Sequence, residues 1–235
     1  MQKINKSLII IPTYNEKENI TPLVEAIFSQ GLNIEILVVD DNSPDGTGAA
    51  VQMMQKKYPT LHLLSRAGKE GLGKAYLAGF QWGLQQGFEA MTEMDADFSH
   101  RPEDLKVLLS ALETADFVIG SRYVQGGGTR NWGLIRKIIS RGGGIYSRLI
   151  LGFPVNDWTG GFNAWRKESL QRIGLDSVQS NGYSFQIELK YKALKAGCKG
   201  IEAPILFEDR RVGQSKMTSK IVFEALYRVW LLRMK

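Results

Sequence analysis

Two short acidic clusters carry most of the chemistry this sequence offers. The apolar run 34–39 ends in Asp40-Asp41-Asn42-Ser43, and a second run near 90–94 ends in Asp95-Ala96-Asp97. Carboxylates at the mouth of a sheet are costly to leave unpaired, so they call for cations, amide donors or water. Asp95 and Asp97 point the same way on an extended strand; in a turn beyond its end they divide between a ribose and a metal. These are hard oxygen donors in a chain with one cysteine and two histidines, which favours Mg²⁺ or Mn²⁺ over Zn²⁺. A plainer reading makes Asp97 or Ser99 the cap of a helix starting at Pro102. His100 follows the same turn, either as a contact to the metal region or a phosphate or, more commonly for such a residue, as a solvated loop histidine. His62, on a strand, receives no role.

Other chemical signatures are near misses. Residues 68–75 read Gly-Lys-Glu-Gly-Leu-Gly-Lys-Ala, almost a phosphate-binding P-loop, but Ala75 stands where that motif needs a hydroxyl for Mg²⁺. These glycines are read instead as shaping a loop near a bound ligand. A dinucleotide-dependent dehydrogenase would carry G-x-G-x-x-G after its first strand, where Pro12-Thr13-Tyr14 stands. No Ser-His-Asp arrangement stands out.

The elements that must position these residues alternate regularly through the first half. Strands are expected at 8–11, 34–39, 61–64, 90–94 and 117–119, with helices at 20–28, 47–57, 74–86 and from Pro102 onward. Such alternation implies crossover units and a mainly parallel sheet with helices on both faces, which binds ligands at the carboxyl ends of its strands. In the second half, Gly126-Gly127-Gly128 and Gly142-Gly143-Gly144 flank a short basic segment. A helix is expected over 185–196, a strand over 201–207 and a last helix over 217–232.

The chain has 235 residues, 43% of them hydrophobic and 23% charged, which suits one globular domain. The lone Cys198 excludes an intramolecular disulfide and a thiolate metal cage, and favours a reducing compartment. With no signal peptide and no apolar run near ~18 residues, the expectation is a cytoplasmic protein that does not cross a bilayer. The net charge of +6 is unevenly spread: residues 117–156 hold six basic side chains and no acidic one, and 210–235 hold seven against Glu224. The remainder is net acidic, so the basic segments point to an anionic partner such as lipid head groups, phosphates or nucleic acid. No nucleic-acid reading motif accompanies them, and nucleic acid is not expected. Residues 135–151 interleave Ile138, Ile139, Ile145, Leu149 and Ile150 with Arg136, Lys137, Arg141 and Arg148. Together with the last helix they suit a face lying in a lipid interface, or packing on the protein's own core.

Several motifs combine in one order. Pro12-Thr13-Tyr14-Asn15-Glu16, Val39-Asp40-Asp41-Asn42-Ser43 and Asp95-Ala96-Asp97 resemble the inverting glycosyltransferases of family two. Further matches narrow the resemblance to the dolichol- and polyprenol-phosphate mannose synthases: Gly71-Leu72-Gly73, Gly120-Ser121-Arg122-Tyr123, Arg136 to Gly142, Asp157 with Thr159-Gly160-Gly161-Phe162, and Asp209-Arg210 followed by Gly213 to Lys216. It covers essentially the whole chain. The resemblance implies a single-domain nucleotide-sugar-binding (GT-A type) fold over 1–235, with a nucleotide-sugar half (1–125) and an acceptor- and membrane-facing half (126–235) ending in amphipathic helices. It implies that Pro12, Tyr14, Glu16, Val39 and Asp41 hold the nucleoside, and that Asp95, Ala96 and Asp97 bind the sugar nucleotide and its Mg²⁺ or Mn²⁺, Asp97 most directly. Arg122, Arg210 and Lys216 would clamp phosphates, Asp97 and Arg122 being the catalytic pair, while Arg136 and Ser140 would receive the acceptor phosphate. The implied reaction moves mannose from GDP-mannose to a polyprenyl phosphate at a membrane surface, with or without an anchoring protein partner. UDP-glucose or another nucleotide sugar is the close alternative, and a non-catalytic basic module for nucleic acid or membrane the remote one.

Overall fold

In the computed structural model, the parts described are residues 3–180, 182–209 and 219–234. The apolar runs become β1 (Ser7–Thr13), β2 (Ile34–Asp40), β3 (Leu61–Ser65), β4 (Ala90–Glu93) and β5 (Phe117–Ser121). Later in the chain come the two-residue β6 (Gly128–Thr129), β7 (Asn163–Arg166), β8 (Gly200–Pro204) and β9 (Leu206–Phe207). Seven of these form one sheet in the order β3-β2-β1-β4-β7-β5-β8, and β6 pairs with β9 in a separate ribbon. Every pairing in the large sheet is parallel except those of β7, which runs antiparallel to both β4 and β5.

The helices are α1 (Lys17–Phe28), α2 (Thr47–Gln55), α3 (Leu72–Gln85), α4 (Leu105–Leu112), α5 (Leu134–Leu151), α6 (Lys167–Ile173), α7 (Gly182–Lys195) and α8 (Ser219–Met234). All seven residues of β1 are buried because helices cover both faces of the sheet. Alternate side chains then serve two cores: Leu8 and Ile10 pack with Tyr76 and Phe80 of α3 and Phe185 of α7, whereas Ile9 and Ile11 pack with Ile20 and Leu23 of α1 and Leu105 of α4. Two glycines let α3 press onto the sheet, since a Cβ at Gly79 would meet Ile10 Cγ2 at 2.5 Å and one at Gly83 would meet Met91 Sδ at 2.7 Å.

Four sequence expectations change. The helix expected from Pro102 opens as a 3₁₀ turn, Pro102–Asp104, and becomes α-helical at Leu105. The single strand expected at 201–207 is two, because the chain leaves the large sheet after Pro204, which has no N–H for a ladder, and Ile205 hands it to the ribbon. The glycines at 142–144 do not bound a short segment but lie inside the 18-residue α5. Finally, β7 and α6 were not anticipated. The last helix runs to Met234, and residues 217–218 of its expected span lie outside the described residues.

Candidate active site

The carboxyl ends of β1, β2 and β4 are neighbours in one parallel block, so the segments that follow them meet at one edge of the sheet. A cavity of about 560 Å³ opens there. Pro12, Tyr14, Glu16, Asp41, Asp95, Ala96 and Asp97 all line it. Val39 does not: its side chain is fully buried in the core beneath, with Leu8 and Ile10.

At the end of β2 the two aspartates part. Asp40 turns into the protein, where the hydroxyls of Thr13 and Ser43 donate to its Oδ1 at 2.9 and 2.6 Å. Asp41 faces the cavity and is ion-paired through Oδ1 to Arg66 Nη1 at 2.6 Å. Arg66 also reaches Glu70, which binds Lys74, so the glycine loop 66–74 is held as a wall rather than as a phosphate cradle. From that loop Lys69 sets its ammonium 4.2 Å from the centre of the Tyr14 ring. The Glu16 amide donates to Thr47 Oγ1 at 3.0 Å, and its carboxylate accepts from Asn19.

Asp95 and Asp97 stand in the turn beyond β4, as foreseen. Tyr76 donates its hydroxyl to Asp95 Oδ1 at 2.9 Å, and the amide of Asp95 donates to His100 Nδ1 at 3.0 Å. Burial, reinforced by Asp95, raises the Tyr76 pKa well above the ordinary value, so the phenol remains a donor. His100 is 1% exposed, parallel to Phe162 at 4.7 Å and edge-on to Phe207 at 5.4 Å. It is therefore not the solvated loop histidine: burial lowers its pKa, and an Nδ1 that accepts leaves the ring neutral. Asp97 Oδ1 accepts the amide of Ser99 at 3.1 Å. The 3₁₀ turn at Pro102 has no side-chain cap, so the capping role of Asp97 or Ser99 is not realised.

Among the described residues no group of three or more His, Cys, Asp or Glu side chains encloses a cation position. Asp95 and Asp97 face the cavity without a closed cage, a donor set that fits a divalent ion whose remaining ligands would come from substrate and water. The residues present fit such an ion and do not fit a structural metal.

Arg122 follows β5 and lines the same cavity, with its guanidinium also paired to the protein. Its Nε and Nη2 form a forked pair with Asp157 at 2.7 and 2.6 Å, its amide donates to the same carboxylate, and Nη2 also reaches Thr159. Burial alone would raise the Asp157 pKa, but the adjoining guanidinium outweighs it and the net shift is downward. The turn carrying Asp157 is fixed by Lys190 of α7, whose fully buried ammonium donates to the carbonyls of Asp157, Trp158 and Gly160 at 3.1, 3.1 and 2.7 Å. Burial lowers the Lys190 pKa to about 8 against the attraction of Asp157 and Glu93. Glu93, at the end of β4 just before the Asp95–Asp97 turn, is raised by burial to about 7 although Asn163, Gln186 and Trp165 all donate to it.

Arg136 and Ser140 lie one turn apart on α5, and both line the same cavity. Arg136 stacks 4.1 Å over the Trp132 ring and pairs with Asp209 at 2.8 Å, while Ser140 Oγ accepts from Tyr123 at 2.7 Å. Among the described residues, the buried N–H groups of Trp132 Nε1 and Arg136 Nε have no acceptor. The cavity thus gathers most of the predicted site, and Arg210 and Lys216 lie outside the described residues. Reading the sequence missed Trp132, Tyr76, Lys190 and Glu93. Of these, only Glu93 left a signal: an acidic residue inside a strand buried on both faces.

A mainly parallel sheet with this edge cavity and carboxylates after its second and fourth strands has the architecture of the GT-A type fold. The profile of Glycosyl transferase family 2 matches residues 8–174, and the chain belongs to that family. It is 46% identical over 232 residues to a polyprenol monophosphomannose synthase of Mycolicibacterium smegmatis, spanning 97% of this chain and 88% of that one. It is also 46% identical over 222 residues to an undecaprenyl-phosphate mannosyltransferase of Micrococcus luteus, with 94% and 91% covered. A crystal structure of glucosyl-3-phosphoglycerate synthase from Mycobacterium tuberculosis, in complex with Mn²⁺, UDP and phosphoglyceric acid, shares the fold with a TM-score of 0.71 at 16% identity, over 97% of this chain and 78% of that one.

Proposed function

We propose that this chain transfers mannose from GDP-mannose to a polyprenyl phosphate, with inversion at the anomeric carbon, giving polyprenyl-phosphate mannose and GDP. The observation that carries the reading is that one cavity is lined both by Tyr14, Asp41 and Asp97 and by Arg136 and Ser140. A donor and a phosphate acceptor would meet in that one space. The names of the two relatives at 46% identity supply the sugar and the lipid class.

In this reading residues 1–125 hold the donor and 126–235 the acceptor. Pro12, Tyr14, Glu16, Val39 and Asp41 surround the nucleoside, Val39 through its backbone because its side chain belongs to the core. Asp95 and Asp97 would hold Mg²⁺ or Mn²⁺, and Ala96 would contact the sugar nucleotide. When bound, the ion neutralises charge on the departing diphosphate. The acceptor oxygen is already anionic near neutral pH, so no side chain has to deprotonate it. The protein's task is to hold two mutually repelling anions together, which planar guanidinium groups at Arg122, Arg136 and Arg210, with Lys216, are suited to do. Tyr76 keeps Asp95 oriented by its hydrogen bond, and Lys190 keeps the turn behind Arg122 in place.

The acceptor lies in a bilayer, and α5 presents Leu134, Ile135, Ile138, Ile145 and Leu149 to solvent among its basic residues. That face suits peripheral attachment to the cytoplasmic leaflet, alone or with an anchoring partner. Among the described residues no helix is long and apolar enough to cross a membrane. The reading is tested by incubating protein with Mg²⁺ or Mn²⁺, a short polyprenyl phosphate and labelled GDP-mannose, UDP-glucose or UDP-N-acetylglucosamine. Organic-extractable label from GDP-mannose alone, abolished by a chelator, is the expected result. Label from a UDP-sugar would move the donor, and lipid label from none would overturn the acceptor class.

A further inference from the structure

Along the edge of the sheet where the cavity opens, β2 and β1 lead to Asp41 and Tyr14, β4 leads to the Asp95–Asp97 turn, and β7 comes next. Because β7 runs antiparallel to β4, its first residue, Asn163, stands beside the carboxyl end of β4, and Gly161 just before it lines the cavity. A sugar nucleotide laid along this edge has its nucleoside against β1 and β2 and its diphosphate at the β4 turn. Its sugar then falls beyond that turn, towards the start of β7.

Two buried side chains converge there. His100 is 1% exposed and lines the cavity. Its Nδ1 accepts the Asp95 amide, so the ring hydrogen sits on Nε2, and among the described residues that N–H has no acceptor. Gln186 of α7 is 3% exposed and lines the same space. Its Oε1 accepts from Asn163 at 2.8 Å and its Nε2 gives one hydrogen to Glu93 at 2.9 Å, which leaves the second hydrogen without an acceptor among the described residues. Gly161 lies between the two: a Cβ added to it would stand 3.7 Å from Gln186 Nε2 and 3.7 Å from His100 Cε1. A buried donor without an acceptor is costly, and an acceptor on a ligand relieves it. Phosphate recognition draws on charged donors, whereas these are neutral N–H groups, the chemistry suited to a neutral hydroxyl. We propose that His100 Nε2 and the Gln186 amide donate to hydroxyl oxygens of the transferred hexose, which rests on the bare face of Gly161. The inference rests on the sugar-nucleotide donor proposed above and adds which groups read its sugar.

The experiment titrates GDP and GDP-mannose, with Mg²⁺, into wild type, Gly161→Ala and His100→Asn by calorimetry. The two ligands differ by the hexose, so the ratio of their affinities isolates it. The methyl of Gly161→Ala meets its protein neighbours at ordinary contact distance and needs no positive φ, so it intrudes only on the sugar's space. In His100→Asn the amide oxygen can take the place of Nδ1 towards Asp95 while the Nε2 donor is lost. The expected result in both variants is that affinity for GDP-mannose falls ~5-fold or more relative to GDP, about the worth of one neutral hydrogen bond. Binding of GDP itself stays within about twofold. An unchanged ratio in either variant, whether or not GDP binding falls with it, would overturn the sugar assignment and leave the proposed reaction intact. Wild type that binds neither ligand would overturn the donor proposed above and the sugar assignment together.

Discussion

At the scale of single residues, buried charge does more of the work than the solvent-facing motifs suggest. Arg122, which the resemblance makes a phosphate clamp, lines the cavity and is also held by a forked pair with Asp157. Removing one partner of a buried pair strands the other, at a cost of ~3–5 kcal/mol. Arg122→Met should therefore lower the unfolding free energy by that amount in urea at neutral pH, and a loss under ~1 kcal/mol would show the pair to be dispensable. Lys190 makes a pH-dependent contribution. Its folded pKa of about 8 lies below the ordinary 10.5. Between those values the unfolded chain holds a proton that the folded chain has released, so this group's contribution to stability rises with pH across that window. Lys190→Met should flatten the rise in melting temperature relative to wild type between those pH values, and parallel curves would contradict it. The acidic motifs were legible because carboxylates following apolar runs are conspicuous. Lys190 and Tyr76 were not, because a lysine or tyrosine on an amphipathic helix looks the same in sequence whether it faces solvent or the site, and Trp132 lies in a loop with no pattern to place it. Only the tertiary fold tells the two apart.

At the scale of elements, the first half was readable almost to its ends and the second was not. The strands β1 to β5 announce themselves as apolar runs separated by helical periodicity, because local pattern and burial agree there. By contrast β7 has four residues, Asn163-Ala164-Trp165-Arg166, and enters the sheet between β4 and β5 by long-range pairing that no local pattern encodes. The glycines of α5 misled for a related reason, since helix propensity argues against a helix that tertiary contacts nevertheless form. Their different environments give a paired prediction. Gly142→Ala should stabilise the protein by about 0.5–1 kcal/mol, because it is exposed with open space at its Cβ. Gly144→Ala should destabilise it, because the new methyl would press on the Asn156 carbonyl. Thermal melts of the two variants check this, and shifts of the same sign would contradict the placement of α5.

At the scale of the whole molecule, an otherwise net acidic chain bears two strongly basic segments in its second half, where α5 sets isoleucines and leucines in solvent beside arginines. Such a face should bind vesicles containing anionic lipid, and binding should weaken as salt rises past the point where charges are screened. Ile138→Glu with Leu149→Glu should reduce co-sedimentation at least ~10-fold, as expected when buried apolar area and attraction to the surface are lost together. Equal sedimentation of the double variant would place the lipid contact elsewhere. The central claim is that one cavity holds donor and acceptor at opposite ends. The most direct measurement is a two-substrate kinetic comparison of Asp97→Ala and Arg136→Ala, varying GDP-mannose and a short polyprenyl phosphate separately. The account predicts that Asp97→Ala loses ~100-fold or more in turnover, as expected when a carboxylate orienting a metal and diphosphate is removed. It predicts that Arg136→Ala raises the KM for the lipid phosphate ~10-fold or more, the value of one hydrogen bond to a charged group, and leaves the KM for GDP-mannose within about twofold. A rise in the KM for GDP-mannose equal to that for the lipid would contradict the two-ended cavity.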